Sequence, residues 1–120
     1  MAQYLFLIYS DESTFADATP EDWQLMMKAH RQFADQVAQQ GGTIVGGDAL
    51  ESTATATSIR SKSGGSHTVT DGPFAETKEA LGGYYLVEAK DLTQAIGFAK
   101  LLPVSAGGVE VRPIMDTSGV

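Results

Sequence analysis

Residues 4–9 read Tyr-Leu-Phe-Leu-Ile-Tyr, apolar at every position. A short run of that kind predicts a strand covered on both faces. Ser10 to Ala18 is a polar connection, after which Thr19-Pro20-Glu21-Asp22 carries the marks of a helix start. The threonine can cap, proline fits the first turn, and the two carboxylates favour the positive end of the dipole. Trp23, Met26, His30, Phe33 and Val37 follow at spacings of three and four and predict one buried stripe, while Lys28, Arg31, Asp35 and Gln39 fall on the water side. Gly41-Gly42 stops the helix.

Thr43-Ile44-Val45 opens a second strand, interrupted by Gly46-Gly47. Residues 51–70 are rich in Ser and Thr; within them 57–61 and 66–70 flank Ser63-Gly64-Gly65 and predict a hairpin. Asp71-Gly72-Pro73-Phe74 is a dense turn signal. Residues 83–89 form a strand with bulky groups on both faces, and Asp91 caps a second helix whose expected stripe is Leu92, Ala95, Ile96, Ala99 and Leu102. Pro103 and Gly107-Gly108 end that helix, and residues 109–114 make the last strand. The predicted class is therefore α+β: a ferredoxin-like split βαβ sandwich with a hairpin inserted between its halves. Residues 1–115 are expected to form a single domain and 116–120 a flexible tail.

Two helices can cover only one face of such a sheet. Tyr4, Phe6 and Ile8 nevertheless oppose Leu5, Leu7 and Tyr9 across the first strand, and Tyr84 and Leu86 oppose Tyr85 and Val87 across the strand at 83–89. An apolar patch of that size is rare on a monomer, so a homodimer through the sheet face is expected.

Charge and composition narrow the partners. The 120 residues carry a formal charge of −7, and eight scattered Lys and Arg offer no cationic face for a phosphate polymer. No nucleic-acid partner is expected. There is no cysteine, which excludes disulfides and cysteine-based metal or redox sites. The opening segment lacks a basic leader and no stretch is long enough to cross a bilayer, so the expectation is a cytoplasmic protein with no membrane partner. No phosphate-cradling loop, nucleophile elbow or dinucleotide fingerprint is present, and no cofactor or metal is expected.

Asp71-Gly72-Pro73-Phe74-Ala75-Glu76-Thr77-Lys78-Glu79, followed by Leu81-Gly82-Gly83-Tyr84-Tyr85-Leu86, resembles the signature of DGPF-domain proteins, a branch of the YCII-related superfamily. The likeness extends to the opening strand with Asp11-Glu12, the helix with His30, Gly46-Gly47, and Val109-Glu110-Val111-Arg112-Pro113. It implies a dimeric α+β barrel. It also implies a catalytic pair matching His30 and Asp71, although the superfamily's usual Asp-Pro stands here as Asp71-Gly72-Pro73. Some YCII-type proteins resemble lyases acting on halogenated aromatic rings, and DGPF-type proteins are linked by family context to extracytoplasmic-function sigma factors.

From the residues themselves, His30 lies on an apolar stripe, where a neutral imidazole needs a partner for its ring N–H. Asp71 is the expected partner, raising the histidine pKa and forming a general base beside a wet cavity; a core histidine satisfied by a backbone carbonyl is the alternative. Pro73 and Phe74 read as part of a tight turn whose phenylalanine plugs the core, or else as a pocket rim or a docking surface. Tyr9, Asp48, Tyr84 and Arg112 stand near strand ends and could line a substrate-binding cleft at the dimer seam, with Arg112 free to pair with a substrate carboxylate or with Glu110. His67 reads as a solvated strand residue. Two functions follow: a small-molecule lyase or isomerase using His30 and Asp71, or a non-catalytic ligand-binding or docking module tied to a sigma factor.

Overall fold

In the computed structural model, which describes residues 1–120, six strands and two helices follow one another in chain order. They are β1 (Ala2–Asp11), α1 (Pro20–Gln39), β2 (Thr43–Ala49), β3 (Thr57–Ser61), β4 (His67–Asp71), β5 (Glu79–Ala89), α2 (Leu92–Ala99) and β6 (Gly107–Pro113). An antiparallel four-stranded sheet has the order β2-β5-β1-β6, which is the ferredoxin-like arrangement, and β3 with β4 forms a separate two-stranded ribbon.

The caps act as their chemistry dictates. Thr19 accepts from the Asp22 backbone N–H while Asp22 accepts from the Thr19 N–H, closing a capping box. Asp91 accepts from the Gln94 N–H at the start of α2. At the far end of α1 the chain turns through Gly41 at φ +84°, a backbone that disfavours side chains.

Alternation along the strands divides the sheet into two unlike faces. Tyr4, Phe6, Val87 and Ala89 are buried against Phe33 and Val37 of α1, Ala95 and Phe98 of α2, and Leu102 beyond it. Leu5, Leu7, Tyr84, Leu86, Glu88 and Glu110 point the other way. No helix lies over them. The molecule is a slab only 18 Å thick and 49 by 47 Å across, consistent with one sheet and one helix layer. Its radius of gyration is 16.6 Å, against about 13.6 Å for a compact chain of this length. Only 11 of 120 residues are buried, so the fold as a single copy leaves much of its apolar surface uncovered.

Both helical stripes differ from expectation. Trp23 was expected in the core, yet it is 46% exposed and its ring stacks on Phe15 of the short helical turn Glu12–Phe15, with centroids 5.6 Å apart. Only Phe33 and Val37 of α1 are fully enclosed, because the first half of the helix has that turn beneath it instead of the central core. In α2 the buried positions are Ala95 and Phe98, followed by Leu102 after the helix, while Leu92 and Ile96 are exposed. Phe98 rotates the helix so that its own large ring, absent from the expected stripe, enters the core. β2 runs on through Gly46-Gly47 to Ala49, with a register shift between Ile44 and Gly46 that absorbs Val45 as a bulge.

Candidate functional site

His30 sits in the middle of α1, one turn before Phe33 and Ala34, on the side that faces the sheet. Its Nδ1 lies 2.8 Å from the hydroxyl of Tyr85 on β5, and the two rings are tilted with centroids 5.9 Å apart. Phe33 packs on the same tyrosine ring at 5.1 Å. Burial holds the His30 imidazole below its ordinary value of 6.5 and the Tyr85 phenol above its ordinary 10.0. Both groups are therefore neutral at pH 7.

Two tautomers satisfy this contact. Either the Tyr85 O–H donates to an unprotonated Nδ1, or an Nδ1–H donates to the Tyr85 oxygen and leaves Nε2 free to accept a proton. The second form is that of a general base.

The seat of Tyr85 depends on a glycine. Gly47 pairs with Tyr85 across β2 and β5, and a Cβ there would lie 2.5 Å from Cδ1 of the ring and 2.6 Å from the Tyr84 carbonyl oxygen. Nothing larger than hydrogen fits without moving the tyrosine. A cleft of about 240 Å³ lies between the turn and the first half of α1, lined by Phe15, Asp17, Asp22, Trp23 and Met26 among others; neither His30 nor Tyr85 lines it. Met26 is one helical turn from His30 on the same face.

The expected His30–Asp71 contact is not formed within the chain. Asp71 ends β4 opposite Thr57, on the ribbon, exposed and without a side-chain hydrogen bond to the imidazole. With no carboxylate at the ring, the expected rise in the histidine pKa is replaced by a fall from burial. Helix α1 lies against the sheet, whereas Asp71 belongs to a ribbon that is not hydrogen-bonded into that sheet.

The remaining candidates fall into two further groups. On the uncovered sheet face the Tyr84 hydroxyl donates to Asp48 Oδ2 at 2.7 Å, and that bond raises the phenol pKa. Arg112 pairs there with Glu110, both exposed. Tyr9 lies beside the bulge that Gly82 makes in β5, opposite Leu81 and Gly108. Pro73 and Phe74 follow the ribbon; Phe74 is 61% exposed, with the Arg60 guanidinium 3.9 Å above its ring and the Arg60 Nη2 donating to its carbonyl. His67 is exposed on β4 beside the Ser61 hydroxyl. No group of three or more His, Asp or Glu side chains converges as a metal-ligand set, and no helix is long and apolar enough to cross a membrane.

Tyr85 was not among the expected site residues, although Tyr84 was. The signal that separates them is alternation: Tyr85, Val87 and Ala89 share one face, and Val87 and Ala89 are the fully buried members beneath the helices.

This arrangement, a helix-borne histidine over an antiparallel ferredoxin-like sheet, coincides with a sequence match over residues 2–118 to the YCII-related domain. The chain belongs to the YCII-related family. A relative in Rhizobium meliloti (strain 1021) is 36% identical over 114 residues, covering 92% of this chain and 90% of that one, and is itself described as an uncharacterised protein. Within the YCII-related domain, then, the histidine–tyrosine contact, the Tyr84–Asp48 pair and the ribbon are three separate places where chemistry or recognition can occur.

Proposed function

We propose that this YCII-related protein is a homodimeric small-molecule acid–base protein, of lyase or isomerase type, in which His30 takes the proton. The observation that carries the reading is the 2.8 Å contact between Nδ1 of a half-buried, neutral His30 and the Tyr85 hydroxyl. Tyr85 acts as a positioning residue, holding the ring so that Nε2 can meet a substrate C–H or O–H made acidic by an adjacent carbonyl or ring. Aromatic and aliphatic groups at Phe15, Trp23 and Met26 suit an uncharged, apolar portion of the ligand. The uncovered Leu5, Leu7 and Leu86 support dimerisation through the sheet face.

A long-range 15N–1H NMR spectrum of the imidazoles tests the site. His30 is expected to be neutral at pH 7, and small phenols or β-dicarbonyl compounds that bind should shift His30 and Tyr85 together. The His30→Gln variant should lose that response with little change in thermal stability. An imidazole that responds to no such compound, while Phe74 shifts on addition of a protein partner, points to the second reading. That reading is a docking module linked to a sigma factor, and its supporting observation is the exposed Phe74 held by Arg60.

A further inference from the structure

The ribbon of β3 and β4 is fixed at its root and bare along its length. Glu12, just after β1, accepts from the backbone N–H of Thr53 at 2.9 Å and from its hydroxyl at 2.8 Å. Ser58 donates to the Gly72 carbonyl, and the Gly72 N–H donates to Ala56. Beyond this root, Ile59 and Val69 face each other across the strands at 60% and 63% exposure, and Phe74 is as open on the turn that follows. A two-stranded ribbon is marginally stable alone in water, and one that also displays apolar groups needs a cover.

Charge and area indicate what the cover is. The ribbon, residues 57–71, contains Arg60 and Lys62 against the single carboxylate of Asp71, a net of +1; the rest of the chain holds six cations against fourteen carboxylates, a net of −8. The ribbon thus complements the body of its own sequence. Ile59, Val69 and Phe74 together expose on the order of 400 Å², too little for an independent interface of about 800 Å² per partner. Added to the uncovered sheet face, they extend an interface of ordinary size.

We propose that the ribbon is an arm that grips a second copy of this chain, its Ile59, Val69 and Arg60 resting on the acidic body of that copy. This inference rests on the homodimer of the preceding section. The absence of cysteine allows a clean test: Ile59→Cys carrying a benzophenone maleimide, in a mixture of 14N- and 15N-labelled full-length chains. Sedimentation should give a dimer, and photolysis should give mixed-isotope peptide pairs joining the arm to a body segment of the other chain. Ile59→Asp should weaken self-association at least about tenfold with an unchanged circular dichroism spectrum. A dimer whose cross-links all lie within one chain, and whose association is indifferent to Ile59→Asp, overturns the arm while leaving the sheet-face dimer intact. A monomer at micromolar concentration overturns both.

Discussion

The two faces of the four-stranded sheet carry comparable apolar side chains and differ in what lies over them. On one, Phe6, Val87 and Ala89 are sealed beneath α1 and α2. On the other, Leu5, Leu7 and Leu86 remain partly open, and the polar groups among them are paired with each other, Tyr84 with Asp48 and Arg112 with Glu110. The covered face therefore sustains the folded chain, while the open face is available for association. Hydrophobicity alone does not separate a core from an interface; the layer count does.

Substitutions on the two faces should separate these roles. The largest effect is expected at Phe33, 1% exposed between α1 and the sheet. Phe33→Ala should cost about 3–5 kcal/mol of unfolding free energy by denaturant titration, and would also loosen the Tyr85 ring that packs on it. A small loss there would mean that the helix layer contributes less than its burial indicates.

Leu7→Arg probes the opposite face, where Leu7 lies between Tyr84 and Glu110 on neighbouring strands. The proposed dimer should weaken at least about a hundredfold, roughly 2.7 kcal/mol, as read by sedimentation, with near-native circular dichroism. Retention of the dimer would show that association uses some other surface.

Gly47→Ala touches both faces through the strand between them. Its methyl group would collide with the Tyr85 ring and the Tyr84 carbonyl, so a loss of about 1–3 kcal/mol is expected. The more telling readout is the His30 imidazole signal, which should move as the tyrosine contact is lost; a stable variant with an unmoved signal would remove the glycine from the site.

The smallest effect is the pH dependence that His30 contributes. Its folded-state pKa lies below the ordinary 6.5, so the unfolded chain binds the proton more readily. The stability this provides is complete above pH 6.5 and is lost as pH falls through the lower folded value. Thermal midpoints should therefore drop from pH 7 to 5, and His30→Gln should drop less. Equal slopes would mean that the imidazole is solvated in both states.

Much of this architecture could be read directly from the chain. The Thr19-Pro20-Glu21-Asp22 start, the Gly41-Gly42 stop, the Gly64-Gly65 turn of the ribbon and the alternating strands are local events, set by caps, glycine backbone and side-chain direction within a few residues. The helix stripes were legible only in part, because periodicity marks several rotations as apolar and the ring of Phe98, not the pattern, selected one. The site was the least legible. His30 and Tyr85 are 55 positions apart, and their meeting depends on strand register. The bulge between Ile44 and Gly46 shifts the pairing of β2 by one residue, so that Gly47 is the glycine opposite Tyr85. One inserted residue exchanges the faces of everything after it. Sequence alone therefore determined the elements and the apolar excess on the sheet, while only the tertiary structure decided that the partner of the histidine is a tyrosine beneath the helix and that Asp71 stands on the arm, since register and packing are properties of strands already assembled.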